Sequence, residues 1–270
     1  TRYWRDWSSD VCSSDLLSDG EISSRNKKGF LNSRELKFYL LDKFTSLLSR
    51  IIILESENQR RYFVDKFKVK PEKCKVLYTG LDESKFIVHE VKSFKTPTVT
   101  FRGKYNPEAG LEVLADASIL LEKENFNIHV YCPNMPDNLV FSNKTKIFKD
   151  FINKQEIARI LLASDLTLGQ LQSHERLSRT IPHKAFESAF LSRAYLTART
   201  NGVSELFQED KEIMCFNPGD SEDLARKIRE LMNDRQKLKS LGISMKQKYN
   251  ESLSQSKLGS DFLNIMQTLN

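Results

Sequence analysis

From residue 98 to residue 233, short apolar runs alternate with amphipathic stretches of helical period. The runs at 98–101, 127–131, 146–149, 165–168, 194–198 and 213–216 are too short for helices and read as strands. Helical patterns lie at 108–123, 154–163, 183–191, 203–207 and 221–233. Strands spaced by such helices predict an α/β chain with a doubly wound, Rossmann-like parallel sheet. The sheet domain is expected over 91–245. In sheets of this kind the ligand lies beyond the carboxyl ends of the strands. Here that rim collects the loops 102–107, 132–138, 150–153, 169–181 and 199–202.

Both ends depart from this rhythm. Residues 33–49 place Leu36, Tyr39, Leu40, Phe44, Leu47 and Leu48 at helical spacing, and 51–54 is a short buried strand. Ser56 is placed to cap a helix running to about Phe67, with Tyr62, Phe63 and Phe67 on one side. A second strand follows at 75–78, then a turn at Thr79-Gly80-Leu81-Asp82 and a linker at 86–95. This unit, within 17–90, is expected to be the remnant of a second α/β domain. Residues 1–16, TRYWRDWSSDVCSSDL, are Ser/Asp/Trp-rich without useful period and resemble a translated sequencing adapter. They are set aside as a non-native scar, with the protein read as truncated at its N-terminus and Cys12 as meaningless. At the other end, 235–241 is expected to stop at Gly242. A last helix over 252–269 carries the face Leu258, Phe262, Ile265, Met266 and Leu269, which should bury.

The charge balance changes the picture only slightly. Lys and Arg number 42 and Asp and Glu 36, a net +6 that suits anionic ligands or an anionic membrane surface. The excess forms no single block and no nucleic-acid-binding signature accompanies it, so nucleic acid is not an expected partner. Arg25, Lys27, Lys28, Arg34, Lys37, Lys43, Arg50, Arg60 and Arg61 crowd the N-terminal region. They read as solvated helix faces, with peripheral contact to a membrane or anionic acceptor as the alternative. The four cysteines are far apart and suit a reducing compartment. No apolar run approaches the roughly 20 residues of a spanning helix. A cytoplasmic chain, with membrane association as an option, is the expectation.

The candidate chemistry gathers in 168–200. A polar, basic loop from Gln172 to Arg179 leads into Thr180-Ile181-Pro182 and a helix. Pro182 suits the first helical position, with Thr180 or Ile181 at the cap. The free amides of that turn form an anion site, bracketed by Arg179 and Lys184. Glu187, one turn on, can accept from hydroxyls. The bland alternative is a helix that only packs Ala185, Phe186, Ala189 and Phe190 against the sheet. Gly103, between Arg102 and Lys104, would let backbone approach a ligand closely. His129 in a strand reads as a core histidine, while His174 and His183 sit on the rim. No metal-ligand cluster and no Ser-His-Asp spacing are evident.

Together these pieces resemble the GT-B glycosyltransferases of the group 1, family 4 type. Val76-Leu77-Tyr78-Thr79-Gly80-Leu81-Asp82 with Phe86 is similar to that family's crossing between its two domains. Phe101-Arg102-Gly103-Lys104 with Pro107-Glu108 and Gly110 is similar to its G-R-x-x-P-E-K-G loop. Leu168-Gly169 and the run from Arg179 to Glu187 resemble a variant of its donor site. Asn201-Gly202 with Glu205, and Asn217-Pro218-Gly219-Asp220, resemble later turns.

The resemblance implies a C-terminal domain that binds a nucleotide-diphosphate sugar and a retaining transfer to a glycan or lipid-linked acceptor, as in cell-envelope polysaccharide biosynthesis. It implies diphosphate contacts at Gly103, Lys104, Arg179, Thr180 and Lys184, and ribose at Glu187. The base is implied at Asp150, Phe151 and Ile152, with sugar contacts at His174, Ile181 and Pro182. Residues 246–270 would be a helix crossing back to the N-terminal domain, and a catalytic base would lie in the missing part of that domain. The sequence departs from the pattern at Arg179, where a glutamate is usual, and at Ala109, where a lysine is usual. Arg179 and Lys184 are expected to replace that cation, without a metal or other cofactor. The alternatives are a nucleotide-binding module without transferase activity and a GT-B nucleotide-sugar epimerase.

Overall fold

The computed structural model describes residues 33–89 and 91–268. Residues 1–32 lie outside the described residues, and with them the adapter-like string, Cys12, Arg25, Lys27 and Lys28. The central feature is a six-stranded, wholly parallel sheet. Its strands are β3 (Thr98–Arg102), β4 (Asn127–Tyr131), β5 (Thr145–Phe148), β6 (Leu166–Leu168), β7 (Ala194–Ala198) and β8 (Met214–Phe216). Their order is β5-β4-β3-β6-β7-β8, so the winding reverses between β3 and β6. That reversal opens a crevice at the carboxyl ends of β3 and β6.

Helices cover both faces of the sheet, which is why its strands read as nearly continuous apolar runs. On one side α3 (Leu111–Leu120) and α7 (Ser221–Asn233) pack Leu114, Ala117, Leu224 and Ile228 against Val99, Phe101, Leu196 and Phe216. On the other, α4 (Lys154–Ala163), α5 (His183–Phe190) and α8 (Arg235–Ser252) bring Leu161, Phe186, Met245 and Tyr249 onto Tyr195 and Cys215. Asn153 and Asp220 cap α4 and α7 through the amides of Glu156 and Asp223. The short α6 (Asn201–Leu206) links β7 to β8. His129 is buried among Phe94, Tyr131 and Phe148, with burial lowering its pKa. It is a core histidine, as the sequence suggested.

The N-terminal unit holds α1 (Ser33–Leu48), β1 (Ile52–Leu54), α2 (Glu57–Phe67) and β2 (Cys74–Val76). The two strands pair in parallel, and Leu54, Phe63, Phe67, Val69 and Cys74 form a small core. The crossing segment does not hang free. Leu81 and Phe86 are buried in the core of the large domain. Glu83 accepts from the Tyr249 hydroxyl at 3.0 Å and from the Gln255 amide at 2.8 Å.

Two expectations for the tail are corrected. Helix α8 does not stop at Gly242 but runs through it to Ser252. A Cβ at Gly242 would lie 2.4 Å from the carbonyl oxygen of Ser192, so this glycine serves close packing, not a helix end. In α9 (Gln255–Gln267) only Leu258 is buried, while Phe262, Leu263 and Met266 are exposed. In α1, Leu36, Leu40, Phe44, Leu47 and Leu48 are likewise exposed. No described helix is long and apolar enough to cross a membrane.

Candidate functional site

The crevice at the winding reversal is a cleft of about 470 Å³, within the range of small-molecule sites. One wall is the end of β3 and the turn after it, with Arg102, Gly103 and Lys104, together with Asn106 and Glu108. A second is Gln170 after β6 and the segment from Arg176 to Lys184 that leads into α5. Tyr131, Pro133, Phe151, Ile152 and Ile157 close one side, and Glu55 arrives from the N-terminal unit.

Lys184 is at the centre. Its ammonium donates to Gln170 Oε1 at 3.0 Å and to the carbonyl of Gly169 at 3.3 Å, and lies 4.0 Å above the Phe101 ring. Burial, then the neighbouring charge of Arg102, holds its pKa well below the ordinary lysine value. Gly103 lies against it: a Cβ there would sit 3.1 Å from Lys184 Nζ, a tight contact with the end of a flexible side chain.

The helix start is corrected. Pro182 is the N-cap of α5, in extended conformation, and no side chain caps the helix. The first helical residue is His183, which lines the cleft. The first residues of α5, His183 and Lys184, therefore still line the cleft, one residue later than expected.

Arg179 is also corrected. Although Thr180, Ile181, Pro182 and Lys184 line the cleft, Arg179 is 4% exposed and turns away from it. Its guanidinium stacks 4.0 Å from the Tyr62 ring of the N-terminal unit, and Nη1 donates to Glu175 Oε1 at 3.3 Å. Arg179 and Lys184 thus do not flank the cleft together.

Glu187 is buried and ion-paired with Arg102, which approaches from the carboxyl end of β3. Lys104 lines the cleft with its side chain exposed. Of the three residues expected around a base, Phe151 and Ile152 line the cleft, and Phe151 is 87% exposed. Asp150 is exposed and does not line it. His174 also lies behind the lining, 3.7 Å from Glu108 Oε1, with its Nδ1 accepting from the Arg176 amide.

Three charged lining residues, Arg176, Glu108 and Glu55, escaped the sequence reading of the site. Arg176 pairs with Glu108 at 3.2 Å, and both are largely covered. Glu108 stood in the Pro107-Glu108 motif, and Arg176 in the basic loop, but their pairing spans 68 residues and has no local signature. Glu55 directly precedes the cap Ser56 and carried no signal of its own. Among the described residues no group of His, Cys, Asp and Glu is arranged to hold a metal ion.

The chain belongs to the glycosyl transferase-like family, whose model matches residues 112–256, more than half of its length. The fold is that of the GT-B glycosyltransferases. A glycosyltransferase from Rickettsia africae superposes with a TM-score of 0.68 at 15% identity, over 84% of this chain and 66% of that one. Anabaena HepE, solved with UDP-glucose, gives a TM-score of 0.72 at 15% identity over 94% of this chain and 70% of its own. TarM of S. aureus, as a variant solved with fondaparinux, alpha-GlcNAc-glycerol and UDP, gives 0.63 at 14% identity over 88% and 47%. The chain therefore spans about two thirds or less of most of these structures. No curated protein matches it by sequence.

Proposed function

We propose that the protein transfers a sugar, with retention of anomeric configuration, from a nucleoside diphosphate sugar to a hydroxyl of a glycan or lipid-linked acceptor in cell-envelope polysaccharide synthesis. The bond from the anomeric carbon to the phosphate oxygen breaks, a bond to the acceptor oxygen forms, and the acceptor's proton leaves with the diphosphate or to solvent. The departing diphosphate gains charge, and preorganised cations with helix amides are the groups that stabilise it. The carrying observation is Lys184, enclosed between Gly103, Phe101 and Gln170 at the mouth of α5, with Arg102 and Arg176 on the same cleft. On this reading the leaving group is stabilised without a metal. Phe151 and Ile152 offer an apolar seat for the base. The UDP-glucose bound to HepE and the UDP bound to TarM support a nucleotide-sugar donor. Contact with a membrane holding a lipid-linked acceptor would fall to α1, where Lys37 and Lys43 neighbour the exposed Leu36, Leu40 and Phe44.

Calorimetric titration with UDP, GDP and ADP tests the reading. Wild type should bind at least one of them without added metal, and K184M should weaken that binding about tenfold or more, the effect of losing a charged hydrogen bond. Absence of binding to all three, or an unchanged K184M, would refute it.

A further inference from the structure

We infer that Glu55 forms a subsite for the hydroxyl groups of the transferred sugar, built across the junction between the N-terminal unit and the sheet domain. The inference rests on the donor reading above and extends it to a residue that neither motif nor spacing pointed to.

The cleft carries charges of both signs. Arg102, Lys104, Arg176 and Lys184 line the walls supplied by the sheet domain. Two carboxylates also line it, Glu55 and Glu108. Glu108 is bonded to Arg176 and belongs to the cationic wall. Glu55 directly follows β1 of the N-terminal unit and is only 8% exposed. The Thr79 hydroxyl donates to its Oε2 at 3.2 Å, which orients the carboxylate. A ligand that fills such a cleft needs anionic oxygens for the cations and hydrogen-bond donors for this carboxylate. A nucleoside diphosphate sugar has that polarity, because the pyrophosphate is followed directly by a ring of hydroxyls. Carboxylates are strong acceptors for such hydroxyls.

The position of Glu55 is fixed, not incidental. The next residue, Ser56, donates from its hydroxyl to the carbonyl oxygen of Arg179 at 2.5 Å. The amides of Glu57 and Asn58 donate to the two oxygens of Glu205 at 2.7 and 2.8 Å. Three consecutive residues are thus fastened to the sheet domain, one of them to the turn that carries Thr180 and Pro182 into α5. This places the carboxylate beside the helix mouth, where a sugar attached to a bound diphosphate would emerge.

The test compares two ligands on the full chain. Wild type, E55Q and E55D are titrated with UDP, GDP and ADP, and with the glucose conjugate of whichever binds. Circular dichroism and melting check that each variant is folded. E55Q should bind the nucleoside diphosphate within about twofold of wild type, yet lose about tenfold or more for the sugar conjugate, as expected when a charged acceptor of hydroxyls is removed. E55D should recover part of that loss. Equal affinity of wild type and E55Q for the conjugate overturns the subsite, as does a parallel loss for both ligands. Failure of wild type to bind any nucleoside diphosphate overturns the donor reading, and the subsite with it.

Discussion

The Ser56 hydroxyl donates to the Arg179 carbonyl at 2.5 Å while accepting from the Gln59 amide at 2.9 Å. One buried oxygen therefore caps α2 and ties the N-terminal unit to the turn that opens α5. S56A removes both. Loss of the cap costs about 1 kcal/mol, and a buried carbonyl left without its donor adds about 1–3 kcal/mol. The melting temperature should fall by roughly 2–4 °C for each kcal/mol lost. Proteolysis within 86–95 should also quicken as the two units loosen. A variant that melts with wild type and resists protease equally would show that the tie contributes nothing.

Lys184 gives two pH dependences of opposite sign. Its folded-state pKa lies well below the 10.5 of an ordinary lysine, because burial and Arg102 disfavour the ammonium. The unfolded chain then binds more protons than the folded one between those two values. Stability contributed through Lys184 rises with pH across that window and is lowest below it, where the folded state must carry the enclosed charge. Diphosphate binding needs the charge and should weaken as pH rises through the same window. Binding should also draw a proton from the buffer, seen as a dependence of the calorimetric enthalpy on buffer ionisation heat. K184M should abolish both effects. Persistence of the proton uptake in K184M would assign it to another group.

Much of the sheet domain was legible because its signals are local. Residues 127–131, 154–163, 194–198 and 221–233 have the bounds read from the sequence, since each is marked by its own apolar run or helical period. The cleft was less legible, because the direction of a side chain within a turn depends on neighbours far along the chain. Arg179 and Lys184 look equivalent on either side of Pro182, but the Tyr62 ring draws Arg179 to the opposite side. Gly242 reads as a helix stop, yet the Ser192 carbonyl against it makes it a packing contact. Glu55 and Arg176 gain their meaning only when strands distant in sequence meet.

Gly202 and Gly259 should respond oppositely to alanine. A Cβ at Gly202 would lie 2.2 Å from the Thr180 carbonyl oxygen and 2.7 Å from that of Leu177. Both obstacles are backbone and cannot swing aside, so G202A should cost about 1–3 kcal/mol by overpacking. Because Thr180 lines the cleft, nucleotide affinity should fall as well. Gly259 lies within α9 with nothing within 4 Å of the added atom. G259A should stabilise by about 1 kcal/mol through helix propensity alone. Thermal melts of the two variants, with one nucleotide titration each, test the contrast.

The ion pair of Arg102 with Glu187 joins the carboxyl end of β3 to the middle of α5, and the Glu187 side chain is only 7% exposed. Removing the guanidinium strands a carboxylate in the interior, so R102M should destabilise the chain by about 3–5 kcal/mol. E187Q leaves a neutral amide and a cation that is itself 20% exposed, and should cost less. The double variant R102M/E187Q should be more stable than R102M, since the stranded charge is gone. Denaturant unfolding of the four proteins gives the coupling energy directly. The same four separate two roles for Glu187. If it accepts from a ribose, E187Q should weaken binding of a nucleoside, while R102M, which keeps the carboxylate, should bind one about as tightly as wild type, because a nucleoside has no phosphate to miss the guanidinium. Unchanged nucleoside binding by E187Q, with folding intact, would make the pair a fixed strut and exclude Glu187 as the ribose acceptor.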